Sequence, residues 1–163
     1  MVNKICITIM VSLMSLLSAC AQSTPPRGDL LYCSYSSTRM SAGGKSYCEL
    51  VADSGKVPKV VVSLYERCHY RDHIFQEFNV KKADVKALQE LLASLEVYKL
   101  NGYKHDEYLD GAATYRIYME YSSGEKINAV WSGHDIKAEA EVAYDAIHDF
   151  FAKWRDPLDK EEY

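Results

Sequence analysis

Two alternating runs flank the tripeptide Ser122-Ser123-Gly124, and the length of that link decides which side chains share a core. The first run is Thr114-Tyr115-Arg116-Ile117-Tyr118-Met119-Glu120-Tyr121, and the second is Lys126-Ile127-Asn128-Ala129-Val130-Trp131. Successive strand residues point to opposite faces, so slipping the pairing by one residue turns every side chain over. A three-residue loop sets Met119 opposite Ile127, Ile117 opposite Ala129 and Tyr115 opposite Trp131, with Glu120 meeting Lys126 on the other side. A two-residue loop would set Met119 against Asn128 and split the apolar set across both faces. Three-residue loops want a left-handed residue last, and Gly124 supplies it. The sequence therefore predicts an antiparallel hairpin with one apolar face.

Upstream, residues 30–37 and 46–52 alternate as well. Leu31, Cys33 and Tyr35 share one face of the first run, and Cys48, Leu50 and Ala52 share one face of the second. The turn-rich stretch Met40-Ser41-Ala42-Gly43-Gly44-Lys45 joins them as a hairpin. Asp53-Ser54-Gly55 then leads into a strand over residues 57–65. The period changes over residues 82–95, where Val85, Leu88, Leu92 and Leu95 make a helical stripe that Asn101-Gly102 stops. Ile136, Ala140, Ala143, Ile147, Phe150, Phe151 and Trp154 make a longer one. Asp135 is placed to cap it, and it is expected to end before Asp156-Pro157. Strands then a helix, twice over, predict an α+β fold. Its antiparallel sheet is built from hairpins, with helices at about 82–96 and 136–154 packed on one face.

The N-terminus is a segment of another kind. Met1-Val2-Asn3-Lys4 precedes an apolar stretch of signal-peptide length, too short for an ordinary membrane span, ending in Leu17-Ser18-Ala19-Cys20. A small residue before cysteine at this distance from the start resembles the lipobox of bacterial lipoproteins. The resemblance implies that lipid is attached to Cys20 and that residues 1–19 are cut away. With a small α+β domain behind it, the chain is similar to envelope lipoproteins of Gram-negative bacteria, especially of the Bacteroidetes type. The sorting rules of such lipoproteins place Ala21 with outer-membrane export, and no acidic run follows Cys20. A protein lipid-anchored in the outer membrane and facing the periplasm is implied. The match carries anchoring and no activity. The expected organisation is a signal peptide at 1–19, a polar Pro-containing tether at 20–29, one domain at 30–155 and a tail at 156–163.

Charge narrows the partners. The chain carries 19 basic and 23 acidic side chains, a net −4, and loss of Lys4 with residues 1–19 takes it to −5. Nucleic acid needs a basic face, and none is visible. Anionic lipid is not bound by such charge either, so acyl chains must hold the protein, two or more of them for stable anchoring.

Chemistry-bearing residues are few. Cys68-His69-Tyr70-Arg71-Asp72-His73 puts two histidines four apart. On a helix His69 and His73 would share one ion. On a strand they lie about 13 Å apart, too far for a metal whose bonds to nitrogen are about 2 Å. Val60-Val61-Val62 before and Ile74-Phe75 after favour a strand or hairpin tip, so no metal is expected, and Cys68 and His69 would point to opposite faces. Ser132-Gly133-His134-Asp135 has hydrolase residue types but no G-x-S-x-G frame, and His105-Asp106-Glu107 reads as a solvated loop. Export carries the chain to a compartment where disulfides persist, and Cys33 and Cys48 lie mid-strand on one face. If they are directly opposite in a non-hydrogen-bonded pair, their Cα atoms are about 4.5 Å apart, at the close end of the disulfide range. A Cys33–Cys48 bridge is therefore expected, the alternative being two free thiols packed as small hydrophobes.

The 13 tyrosines are the remaining signal. Amphipathic rings are enriched at interface hot spots, though they are also good strand formers with wet hydroxyls. Tyr115 and Trp131 are the candidate binding residues, with Asp110 and His134 on flanking segments that would rim a groove. Tyr118 leaves the core face that Tyr115 and Tyr121 share. The expectation is a lipid-anchored, non-enzymatic module without a cofactor that binds a protein or glycan partner in the envelope. The other class is a small hydrolase or metal-dependent periplasmic enzyme using His69, His73 or His134.

Overall fold

A computed structural model of the protein describes residues 24–39, 44–53, 55–65, 74–107 and 112–160. The alternating runs form strands β1 (Leu30–Arg39), β2 (Gly44–Val51), β3 (Lys59–Tyr65) and β4 (Ile74–Asn79), followed by helix α1 (Lys82–Ser94) and a 3-10 turn (Val97–Leu100). The second half adds the short β5 (Lys104–His105), then β6 (Ala113–Tyr121), β7 (Lys126–Ser132) and helix α2 (Ala138–Lys160). Seven strands make one sheet in the order β4-β3-β2-β1-β6-β7-β5. All neighbours are antiparallel except β5, which runs parallel to β7. The fold is α+β, with both helices on one face. That face contributes Cys33, Tyr35, Cys48, Leu50, Val60, Val62, Ile117, Met119, Ile127, Ala129 and Trp131 to a single core. The helices close it with Leu88, Leu92, Ala140, Ala143, Ile147 and Phe151.

The β6–β7 hairpin has the predicted register. Met119 pairs with Ile127, Ile117 with Ala129, Tyr115 with Trp131 and Glu120 with Lys126. Gly124 is left-handed at φ 86, and its N–H donates to Tyr121 O at 2.9 Å.

Four local expectations are corrected. In β1 the pairing jumps from Leu30–Tyr121 to Tyr32–Glu120, so Leu31 is the extra residue of a bulge. The bulge buries Leu30 to 1 % exposure and leaves Leu31 half-buried, reversing the start of the strand. Second, Tyr35 rather than Cys33 lies opposite Cys48, and Cys33 faces Leu50. The two cysteines are diagonal neighbours on one face, and both are free, buried thiols. Third, α1 ends at Ser94 because Glu96 turns left-handed, with φ 50. The chain then rewinds to bury Val97, Tyr98 and Leu100, and Asn101-Gly102 ends that turn instead of the helix.

Fourth, α2 starts later and ends later than its stripe suggests. Asp135 adopts φ 55, three residues before the first helical residue, and Lys137 N–H donates to the Tyr103 hydroxyl at 3.1 Å. The helix continues through Pro157 to Lys160, so residues 156–160 are helix rather than tail. An interior proline costs about 3 kcal/mol. Contacts at the same place offset it: Arg155 donates to the Tyr35 hydroxyl at 2.9 Å and to Asp156 at 2.6 Å, and Leu158 packs on the core.

Candidate functional site

The aromatic pair singled out from the sequence is structural. Trp131 is 1 % exposed, stacked on Tyr115 with ring centroids 5.9 Å apart, and both rings meet Tyr144 of α2 edge-on. The two sit on the sheet face that the helix covers, Trp131 enclosed in the core and Tyr115 partly buried against it, so their contacts are those of packing. Cys20, Cys68, His69, His73 and Asp110 lie outside the described residues. Among the described residues no group of three or more His, Cys, Asp or Glu side chains is placed to hold a metal ion, and no helix is long and apolar enough to cross a membrane. Burial pushes the Cys33 thiol up to about 12 and the Cys48 thiol up to about 11.

Two polar runs that lie far apart in sequence are joined. The parallel pairing of β5 with β7 sets His105 opposite Trp131 and brings His105-Asp106-Glu107 beside Ser132-Gly133-His134. Ser132 Oγ donates to Asp106 Oδ1 at 3.2 Å, and His134 N–H donates to Glu107 Oε2 at 2.9 Å. His105 Nε2 donates to His134 O at 3.0 Å. A nucleophilic serine needs a base on its hydroxyl. Here that hydroxyl meets a carboxylate, and the His105 nitrogen is committed to main chain. The cluster is a splice between two loops, in which His134 takes part through its backbone.

A second set of half-buried tyrosines lies on the opposite face of the sheet, which no described element covers. Tyr32 of β1, Tyr47 and Glu49 of β2, and Arg116, Tyr118 and Glu120 of β6 all project there, because each alternates with a core residue. The hydroxyls of Tyr32 and Tyr47 lie 2.5 Å apart and both donate to Glu49 Oε2. Tyr118 donates to Glu120 Oε1, which also accepts from Lys126 Nζ at 3.0 Å. Tyr32 and Tyr118 meet edge to face at 5.9 Å, and Arg116 lies over the Tyr118 ring while its Nε donates to Asn128 at 3.2 Å. Ser34, paired with both Glu49 and Tyr118, is buried among them.

Electrostatics tighten the patch. Burial raises the Tyr32 and Tyr47 hydroxyls, and the hydrogen bonds to Glu49 raise them further. The Tyr118 hydroxyl, and then the Lys126 ammonium, hold Glu120 below the usual carboxylate range. The rings stay half-buried on rigid strands with their hydroxyls already engaged. Such a surface loses little side-chain freedom when it is covered. Tyr32 and Tyr47 were legible in principle, since they occupy the polar phase of the same runs whose apolar phase marks the core. No protein-family model matches the chain, and no curated protein does.

Proposed function

We propose that the protein is a non-enzymatic module, held at the cell envelope by lipid on Cys20, whose open sheet face binds a protein partner. One observation carries this reading: Tyr32, Tyr47 and Tyr118 are concentrated, with Arg116, on the one sheet face that the helices leave uncovered. Tyr and Arg dominate interface hot spots, and strands place them more precisely than loops do. A glycan would need free donors and acceptors to grip its hydroxyls. Here Glu49, Glu120, Arg116 and Asn128 already bond to neighbours on the same face, which favours a protein. The lipobox-like Leu17-Ser18-Ala19-Cys20 supports the address.

The test compares the full chain, purified in detergent, with a Tyr32→Ala/Tyr118→Ala variant of unchanged fold as bait for envelope extract. A protein retained by the wild type and lost by the variant supports the reading. Equal retention by both sends the interface elsewhere, and a retained glycan that survives protease treatment replaces the partner class.

A further inference from the structure

Residues 27–30 are fastened to one end of the sheet. Arg27 N–H donates to Glu125 Oε2 at 2.6 Å, Asp29 N–H to Ser122 Oγ at 2.8 Å, and Ser122 N–H returns to Asp29 O at 2.8 Å. From the helix side, Gln89 of α1 holds the same main chain with both ends of its amide. Its Nε2 donates to Gly28 O, and its Oε1 accepts from Leu30 N–H, each at 3.0 Å. Gly28 sits at φ 85, and a Cβ there would come within 2.3 Å of Ser122 Oγ, so the chain passes this point only as glycine. Pro25 and Pro26 border a shallow groove with Leu92, Tyr98 and Tyr121. The polar stretch expected to be a tether up to residue 29 is therefore fastened from Arg27 onward.

We propose that this clip sets how the domain stands on a membrane: the end bearing the β6–β7 turn faces the bilayer, and the opposite end of the sheet points away. The inference rests on lipid at Cys20. With the clip closed, seven residues, 20–26, separate that lipid from the first fastened residue, and they reach at most about 25 Å. From Leu30 to Arg39, β1 rises roughly 30 Å. The domain cannot bring its far end to the bilayer on so short a leash. With the clip open, ten residues would reach about 35 Å, and inversion would be permitted. The clip thus decides between one orientation and two. It also sets the tyrosine face side-on to the membrane, with Tyr32 and Glu120 in the proximal half of the sheet, since they pair next to Leu30 and Tyr121.

Energy transfer reads this directly. A fluorescent amino acid is placed either at Lys56, in the β2–β3 turn at the clipped end, or at Thr38, near the far end of β1. The full chain is reconstituted in vesicles whose headgroups carry the acceptor. Several-fold stronger transfer from Lys56 than from Thr38 is expected, and Gly28→Val should shrink that difference towards parity. Gln89→Ala combined with Ser122→Ala, which removes three of the clip's side-chain hydrogen bonds without touching the backbone, serves the same purpose if Gly28→Val disturbs folding. Equal or reversed transfer in the wild type, or a difference unmoved by both variants, overturns the proposal. A chain that does not float with vesicles overturns the anchor, and this orientation with it. That result is read before any label is compared.

Discussion

Cys33 and Cys48 show how much one residue's surroundings decide. Both point into the core beside Leu50 and Tyr35, and burial holds their protons far above the ordinary thiol range. A thiolate, not a thiol, is the reactive species, so both should be inert in the native protein. In the native state at pH 8, alkylation should spare these two positions and label them fully in urea. Mass spectrometry of the peptides checks this, and a peptide linking Cys33 to Cys48 would contradict it. The same shifts carry a pH dependence. Unfolded thiols ionise near 9, whereas the folded ones keep their protons to about 11 and about 12. Above pH 9 the folded state therefore binds more protons, and stability falls as pH rises. Each thiol contributes a slope of up to about 1.4 kcal/mol per pH unit until its folded value is passed. Urea midpoints that hold from pH 7 to 9 and decline from 9 to 11 are the expected result.

At the scale of elements, the two faces of the sheet should respond unequally to the loss of an aromatic ring. Trp131 is enclosed by Tyr103, Tyr115 and Tyr144, so Trp131→Ala should cost about 3–5 kcal/mol, whatever the partner. Tyr118 lies half-buried on the open face, and Tyr118→Ala should cost on the order of 1 kcal/mol and leave a folded protein. Urea unfolding of the two variants measures both. Similar losses would mean that the open face is as structural as the core.

What the sequence disclosed about these elements follows the same physics. The β6–β7 register was legible because loop length and apolar phase both change with a one-residue slip, and only one choice satisfies both. The β1–β2 register was not. A two-residue shift keeps Cys33 and Cys48 on the same face, so periodicity cannot separate the direct pair from the diagonal one seen here. The Leu31 bulge and the left-handed turn at Glu96 leave no mark in a pattern of apolar residues, since each is a backbone adjustment made by tertiary packing. Of the candidate site, Tyr118's outward direction was readable from strand phase. Its assembly with Tyr32 and Tyr47 needed β1 to lie between β2 and β6, an order that hairpin patterns do not specify.

For the whole molecule, the proposed anchor turns on which force would hold it at a membrane. The domain core is closed on one face by α1 and α2, and the described chain has no helix able to cross a bilayer. Its net charge is −4, and would be −5 after the proposed loss of residues 1–19, which repels an anionic surface instead of binding it. Within the described domain neither core nor charge can then substitute for acyl chains, and under the proposed anchoring the cleaved chain should depend on Cys20 for partition. Anchoring by acyl chains is hydrophobic and survives salt, whereas attachment by charge is screened within about 10 Å at 0.1 M. The wild-type chain should therefore stay with membranes in 1 M salt and leave only with detergent. Cys20→Ser should appear in the soluble envelope fraction at every salt concentration, with the domain's melting temperature unchanged, because residue 20 lies ahead of the clipped segment. Centrifugation of envelope fractions followed by immunoblotting measures the split. A Cys20→Ser protein that had lost residues 1–19 and still remained with membranes in high salt would place the membrane contact on the domain itself.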